Sequence, residues 1–168
     1  MSGSPRPPRE ARDIMESAPP FLLATNSVRD AVRTMYAGST GADTGTEGVP
    51  GLVVLTAEGS LAGLVSQHDV LRAILPAYMT MVDLSEFTWD EMLGEMALKM
   101  GVKTVAEVMN ADVVSVTEDA PLMECVDLVV LHSLDCVPVL DAAGKVVGVV
   151  YVRDLYRAVA EALFPQEA

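Results

Sequence analysis

Residues 63–73 read GLVSQHDVLRA, and residues 148–158 read GVVYVRDLYRA. A phrase written twice in 168 residues constrains this chain more than any other feature. Self-similarity at a fixed spacing means one supersecondary unit used twice. Gly59 pairs with Gly144, Gly63 with Gly148, Asp69 with Asp154 and Arg72 with Arg157, all at an offset of 85. Upstream, ARDIMES (11–17) resembles VAEVMNA (105–111) at an offset of 94. The difference of nine places an insertion in copy one, assigned to the Gly/Thr-rich GSTGADTGTEG (38–48). That stretch reads as a flexible loop.

Each copy parses in the same order. A short strand comes first, FLLAT (21–25) or VVSV (113–116). A helix follows, with Val28, Ala31, Val32 and Met35 at helical spacing in copy one, and Leu122, Cys125, Val126 and Val129 in copy two. Ser27 with Asp30 resembles a capping box, and Pro121 suits a first helical turn. Two β-rich runs then flank AEG (57–59) or AAG (142–144), a hairpin signal. A last helix begins near Gln67 or Val152. The order is β-α-β-β-α, twice.

Between the copies lies PAYMTMVDLSEFTWDEMLGEMALKMG (76–101). Thr88 with Glu91 forms a further capping-box pattern, with Phe87 and Met92 as its hydrophobic staple. Trp89, Met92, Leu93, Met96 and Met100 share one helical face. That face either packs on the protein's own body or serves as a Met-rich docking surface.

Hydrophobic residues make up 51% of the chain, enough for a buried core. Its 24 acidic and 11 basic residues give a net charge of −13, which argues against nucleic acid as a partner. No apolar run approaches the roughly 18 residues of a membrane span, and MSGSPRPPREARD has no signal-peptide core. A cytoplasmic location is expected. Cys125 and Cys136 read as reduced, buried thiols, a disulfide or redox pair being the alternative; their spacing fits no zinc site.

Two β-α-β-β-α copies, each closing on Gly, a strand end, an Asp and an Arg, resemble a tandem pair of CBS domains, a Bateman module. The lead-in segments DIM and EVM and the VPVLD of copy two agree. The resemblance implies an α+β fold, with the repeats packed sheet to sheet about a pseudo-two-fold axis. On it, residues 1–10 are a flexible N-terminus, 11–75 repeat one, 76–103 a helical linker, 104–163 repeat two and 164–168 a tail. It implies binding of AMP, ADP, ATP or S-adenosylmethionine in clefts between the repeats. It also implies a homodimer and a separate effector protein, because no catalytic or transport domain accompanies the repeats. The inserted loop, Tyr151 and the long linker depart from the family pattern.

Ser66-x-x-Asp69 supports two readings. Ser is a favoured N-cap, and an acidic residue suits a first helical turn, with no ligand required. Equally, a helix N-terminus presents N–H groups to an anion, and a carboxylate accepts hydrogen bonds from both hydroxyls of a ribose. The resemblance assigns Asp69 to ribose and Ser66 to ribose or phosphate. By position, the first cleft combines Leu64, Ser66, His68 and Asp69 with Val113, Val114, Asp135, Val137 and Pro138, the apolar residues sandwiching adenine. Arg153 is the candidate phosphate cation, or else a solvated helix-start arginine. His68 is either a phosphate contact or an ordinary helix-start histidine. The second cleft uses Val149, Tyr151 and Asp154 with Pro20, Phe21 and Leu52. Tyr is a poor N-cap and larger than Ser, so its ring either stacks on a base or plugs the cavity, and this site is expected to be weaker. His132 lies late in a helix, where it suits the dipole. No nucleophile–base pair stands out; neither catalysis nor a metal site is expected.

Overall fold

The computed structural model describes residues 8–37, 48–75 and 92–165. All but Gly48 of the inserted loop, the Thr88–Glu91 cap, Phe87, Trp89 and the last three residues of the tail lie outside them. The fold is α+β with two sheets. The chain forms two compact units: residues up to Pro19 together with Val114 onward, and Pro20–Val113.

In the Pro20–Val113 unit, β2 (Phe21–Leu23) pairs parallel with β3 (Gly51–Leu55), and β3 pairs antiparallel with β4 (Leu61–Ser66). Helices α2 (Val28–Ala37), α3 (Gln67–Ile74), α4 (Met92–Gly101) and α5 (Val105–Val108) complete it. Its core gathers Leu22, Val28, Ala31, Met35, Leu52, Val54, Val65, Val70, Met100 and Val105. The other unit holds α1 (Ala11–Ile14), α6 (Leu122–His132) and α7 (Val152–Leu163). Its sheet runs in the order β1 (Glu16–Ser17), β7 (Val146–Tyr151), β6 (Cys136–Leu140), β5 (Val116–Thr117). Cys125, Val137, Val139, Val150 and Leu155 are in its core. Both cysteines are free thiols.

Continuous apolar, Val-rich runs with consecutive buried residues give the central strands, and the two hairpins turn alike. Gly59 N–H donates to the Thr56 carbonyl and Gly144 N–H to the Asp141 carbonyl, each at 3.0 Å. Both glycines are left-handed, with φ of +86° and +80°, where a side chain would be strained. A register shift follows in each ladder, between Val54 and Leu55 and between Val139 and Leu140. This is the bulge that short Gly-containing hairpins carry.

The lead-in segments form elements of their own, which periodicity over so few residues does not reveal. Helix α1 and strand β1 come from copy one yet belong to the unit built on copy two, where β1 pairs with β7. Helix α5 comes from copy two and belongs to the unit built on copy one. There Asn110 bridges Leu64, with hydrogen bonds of 3.0 and 2.8 Å.

Two expectations need correction. The strand over 113–116 is reduced to Val116–Thr117, which pair with Val139 and Leu140. Val113 and Val114 fall where the chain passes from one compact unit to the other. The linker face is also narrower than its periodicity suggests. Met100 is buried and Met96 half-buried, whereas Leu93 is 68% exposed. In the first turn of α4, Met92 is half-buried like Met96, so the covered face runs through Met92, Met96 and Met100. Among the described residues, no helix is long and apolar enough to cross a membrane.

Candidate functional site

Strand β4 runs directly into α3, and Ser66 is the hinge. Its extended backbone (φ −109°, ψ 165°) ends the strand, and its hydroxyl caps the helix. Ser66 Oγ accepts from Asp69 N–H at 3.1 Å; in return Asp69 Oδ2 accepts from Ser66 N–H at 2.8 Å and from Ser66 Oγ at 2.9 Å. This reciprocal cap fixes the carboxylate without a ligand. The other oxygen, Oδ1, lies 3.3 Å from Arg72 Nη1. Only 12% of the Asp69 side chain is exposed, against 67% of Arg72. The carboxylate is thus rigid at one oxygen and loosely held at the other. Gln67 N–H is taken by the Pro50 carbonyl at 3.0 Å, which reduces what the helix start offers an anion. His68 beside it is exposed, and Leu64 is buried on β4.

Strand β7 enters α7 in the same way, but Tyr151 makes no side-chain cap. The tyrosine is 1% exposed. The Arg153 guanidinium lies over its ring, 4.6 Å from the centroid, a cation–π contact. Arg153 Nη2 also meets Glu16 Oε2 at 3.6 Å. Burial, with the Glu16 charge adding to it, pushes the Tyr151 phenol well above its ordinary range. Asp154 repeats Asp69 only in part: Oδ1 lies 3.4 Å from Arg157 Nη1, but the Tyr151 side chain makes no cap hydrogen bond of the kind Ser66 makes to Asp69.

Other expected site residues take places on these sheets. Leu52 is buried opposite Val65 on β3, and Phe21 on β2 is exposed, following a half-buried Pro20. Val137 and Pro138 are buried on β6, Pro138 opposite the buried Val149. Asp135 is exposed just before β6, and its carbonyl accepts from Val152 N–H at 3.1 Å. The fold therefore gathers Leu64, Ser66, His68 and Asp69 around one elbow. It gathers Asp135, Val137, Pro138, Val149, Tyr151, Arg153 and Asp154 around the other. Val113 and Val114 are half-buried at the chain's passage between units.

Each elbow opens beside a hollow. About 540 Å³ lies next to Asp69, lined also by Arg72, Met96, Lys99, Met100, Lys103 and Glu107. About 550 Å³ lies next to Asp154, lined also by Arg9, Glu10, Asp13, Arg157 and Glu161. The first collects cations in an acidic chain; the second is predominantly acidic. Glu16, Lys99 and Lys103 were not singled out in the sequence. Their signals were weak: Glu16 sits in the repeated lead-in segment, where copy two has Asn110.

A family model for the CBS domain matches residues 11–76 and 105–161. The chain belongs to the CBS-domain family. This CBS pair is 25% identical over 161 residues to MJ1426, an uncharacterized protein of Methanocaldococcus jannaschii, covering 88% of this chain and 89% of that one. It is 23% identical over 141 residues to homoserine O-acetyltransferase of Methanocorpusculum labreanum, covering 84% of this chain but only 22% of the enzyme. Among solved structures it resembles CBSX2 of Arabidopsis thaliana, crystallised with AMP, at 22% identity and a TM-score of 0.65. That match covers 92% of this chain and 98% of the other. It also resembles the CBS pair of MJ0100, crystallised with 5′-methylthioadenosine and S-adenosyl-L-methionine. There the identity is 21% and the TM-score 0.62, covering 91% and 97% of the two chains. At these identities the structural likeness shows the fold.

Proposed function

We propose that this CBS pair is a regulatory module, not a catalyst, that binds an adenosine-containing ligand: AMP, ADP, ATP or S-adenosylmethionine. Its signal passes to a separate effector protein. The observation that carries this reading is Asp69, a mostly buried carboxylate held rigid by Ser66 through Oδ2 while Oδ1 meets only an exposed arginine among the contacts above. A preorganised acceptor of this kind suits the paired hydroxyls of a ribose, and charged hydrogen bonds contribute about 1.5–3 kcal/mol each. Two solved relatives of the same fold were crystallised with adenosine compounds, which supports the ligand class. Arg72, Lys99 and Lys103 beside Asp69 favour a phosphate-bearing ligand there over the acidic surroundings of Asp154. The Asp154 site is the weaker one, because the Tyr151 ring is already buried under Arg153.

The partner is a second copy. Val152, Tyr156, Val159 and Leu163 form an exposed apolar stripe along α7, and such a stripe seeks cover. A second reading, a ligand-free dimerisation scaffold, draws on the Ser66–Asp69 cap, which is complete without a ligand. A thermal-shift screen separates the two. Ligand at a hundred times its dissociation constant stabilises the fold by about 2.7 kcal/mol. An upward shift with any adenosine compound supports the sensor, and no shift with any of the four supports the scaffold.

A further inference from the structure

The two hollows are related by the repeat, yet they differ in charge. Asp69 and Arg72 line one, and Asp154 and Arg157 line the other, at the offset of 85. Lys103 and Arg9 stand in equivalent places at the offset of 94. The Lys103 carbonyl accepts from Val28 N–H at 2.9 Å and the Arg9 carbonyl from Leu122 N–H at 3.0 Å, each donor being the first residue of a helix. Glu107 and Asp13 complete the shared set, and each accepts from backbone N–H groups of its own lead-in turn. The rest differs. Helix α4 brings Lys99 to the first hollow, with Met96 and Met100 as apolar lining, whereas the second has Glu10 and Glu161. Three cations thus face two carboxylates in the first, and two cations face four carboxylates in the second.

We infer that Lys103 and Lys99 form the phosphate-binding edge of the Asp69 hollow and set its preference for a nucleotide over an uncharged nucleoside. The inference rests on the adenosine-binding reading above, and every residue it uses belongs to the Pro20–Val113 unit. The hollow, at about 540 Å³, is of ordinary size for a small-molecule site. Lys103 is firmly placed, because its N–H also donates to the carbonyl of the buried Met100 at 3.0 Å. Lys99 lies one turn earlier and meets Glu95 Oε1 at 2.8 Å, an exposed pair that exchanges at little cost. Arg72 links this edge to the sugar. It lies 3.3 Å from Asp69 Oδ1, and turning to a phosphate releases that oxygen to a ribose hydroxyl. A nucleotide therefore re-pairs both groups, whereas a nucleoside competes with Arg72 for Asp69 and gains nothing from the lysines.

Isothermal titration of ATP and of adenosine into the wild type, Lys103→Gln, Lys99→Gln, the double variant and Arg9→Gln tests this. Lys103→Gln should weaken ATP about two- to fivefold, the range an exposed charge pair supplies, and the double variant should weaken it further. Adenosine affinity should not change in either. Arg9→Gln removes the same charge at the equivalent place in the other hollow and should cost ATP less than Lys103→Gln does. Unchanged ATP affinity in the double variant, an equal loss for adenosine, or an equal loss in Arg9→Gln overturns the inference and leaves the sensor standing. A wild type that binds neither ATP, AMP nor S-adenosylmethionine overturns both. Both lysine side chains are exposed, and the bonds that place Lys103 are backbone bonds, so glutamine at either position keeps the fold.

Discussion

The sulfur of Met15 stands 2.6 Å from the point that a Cβ on Gly148 would occupy. Gly63 has the same relation to Met109, with the sulfur at 2.8 Å and the Asn110 carbonyl oxygen at 2.7 Å. The lead-in Met of each copy thus lies over the strand glycine of the other, which explains why DIM and EVM recur alongside the repeated glycines. Gly63→Ala should destabilise the fold by about 1–3 kcal/mol, the usual cost of overpacking. Gly148→Ala should cost less, since its closest neighbours are the end of a flexible Met. Chemical denaturation of both variants checks the order; equal or negligible losses would contradict the packing described.

The two elbows should respond differently to truncation. Ser66→Ala removes a cap and should cost about 0.5–2 kcal/mol. Tyr151→Ala empties a buried aromatic site and should cost about 3–5 kcal/mol. If Tyr151→Ala proves the milder change, the ring is not a structural plug.

Much of this was legible in the sequence, and the reasons are local. Ser27 with Asp30 and Ser66 with Asp69 announce their caps within four residues, and both form. Gly59 and Gly144 announce the turns because only a left-handed glycine fits them. What could not be read depends on distant partners. Nothing near Glu16 in the chain points to Arg153, and nothing near Met15 points to Gly148. The exchange of lead-in segments between copies is likewise invisible to periodicity, because α1 and α5 are four residues each and held by tertiary contacts. Ser66 Oγ and Asp69 also show that cap and ligand readings share one geometry, so residue type alone does not separate them.

Thiol titration gives a pH prediction with a definite sign. Burial pushes Cys136 up from 9.0 to about 12, and it pushes Cys125 and Tyr151 in the same direction. Above about pH 9 the unfolded chain loses the Cys136 proton while the folded chain keeps it, so the folded state binds more protons. The contribution is complete below pH 9 and is lost as pH rises toward 12. Urea midpoints should therefore fall between pH 9 and 12, and less steeply in Cys136→Ala. A midpoint that rises over this window would contradict the buried thiol.

The α7 stripe predicts the assembly. Tyr156→Glu places a charge among Val152, Val159 and Leu163 and should convert a dimer to a monomer with little loss of fold stability, since Tyr156 is 75% exposed. Sedimentation velocity decides it; a wild-type monomer, or a Tyr156→Glu dimer, would remove α7 from the interface.

On the proposed function, Asp69 grips the ligand's sugar. Isothermal titration of AMP, ATP and S-adenosylmethionine into the wild type and Asp69→Asn tests it most directly, with circular dichroism to confirm that the variant is folded. Loss of one charged hydrogen bond should weaken the best ligand at least about tenfold, and Asp154→Asn should weaken it less. A folded Asp69→Asn protein that binds as tightly as the wild type, or a wild type that binds none of the three, would contradict the account.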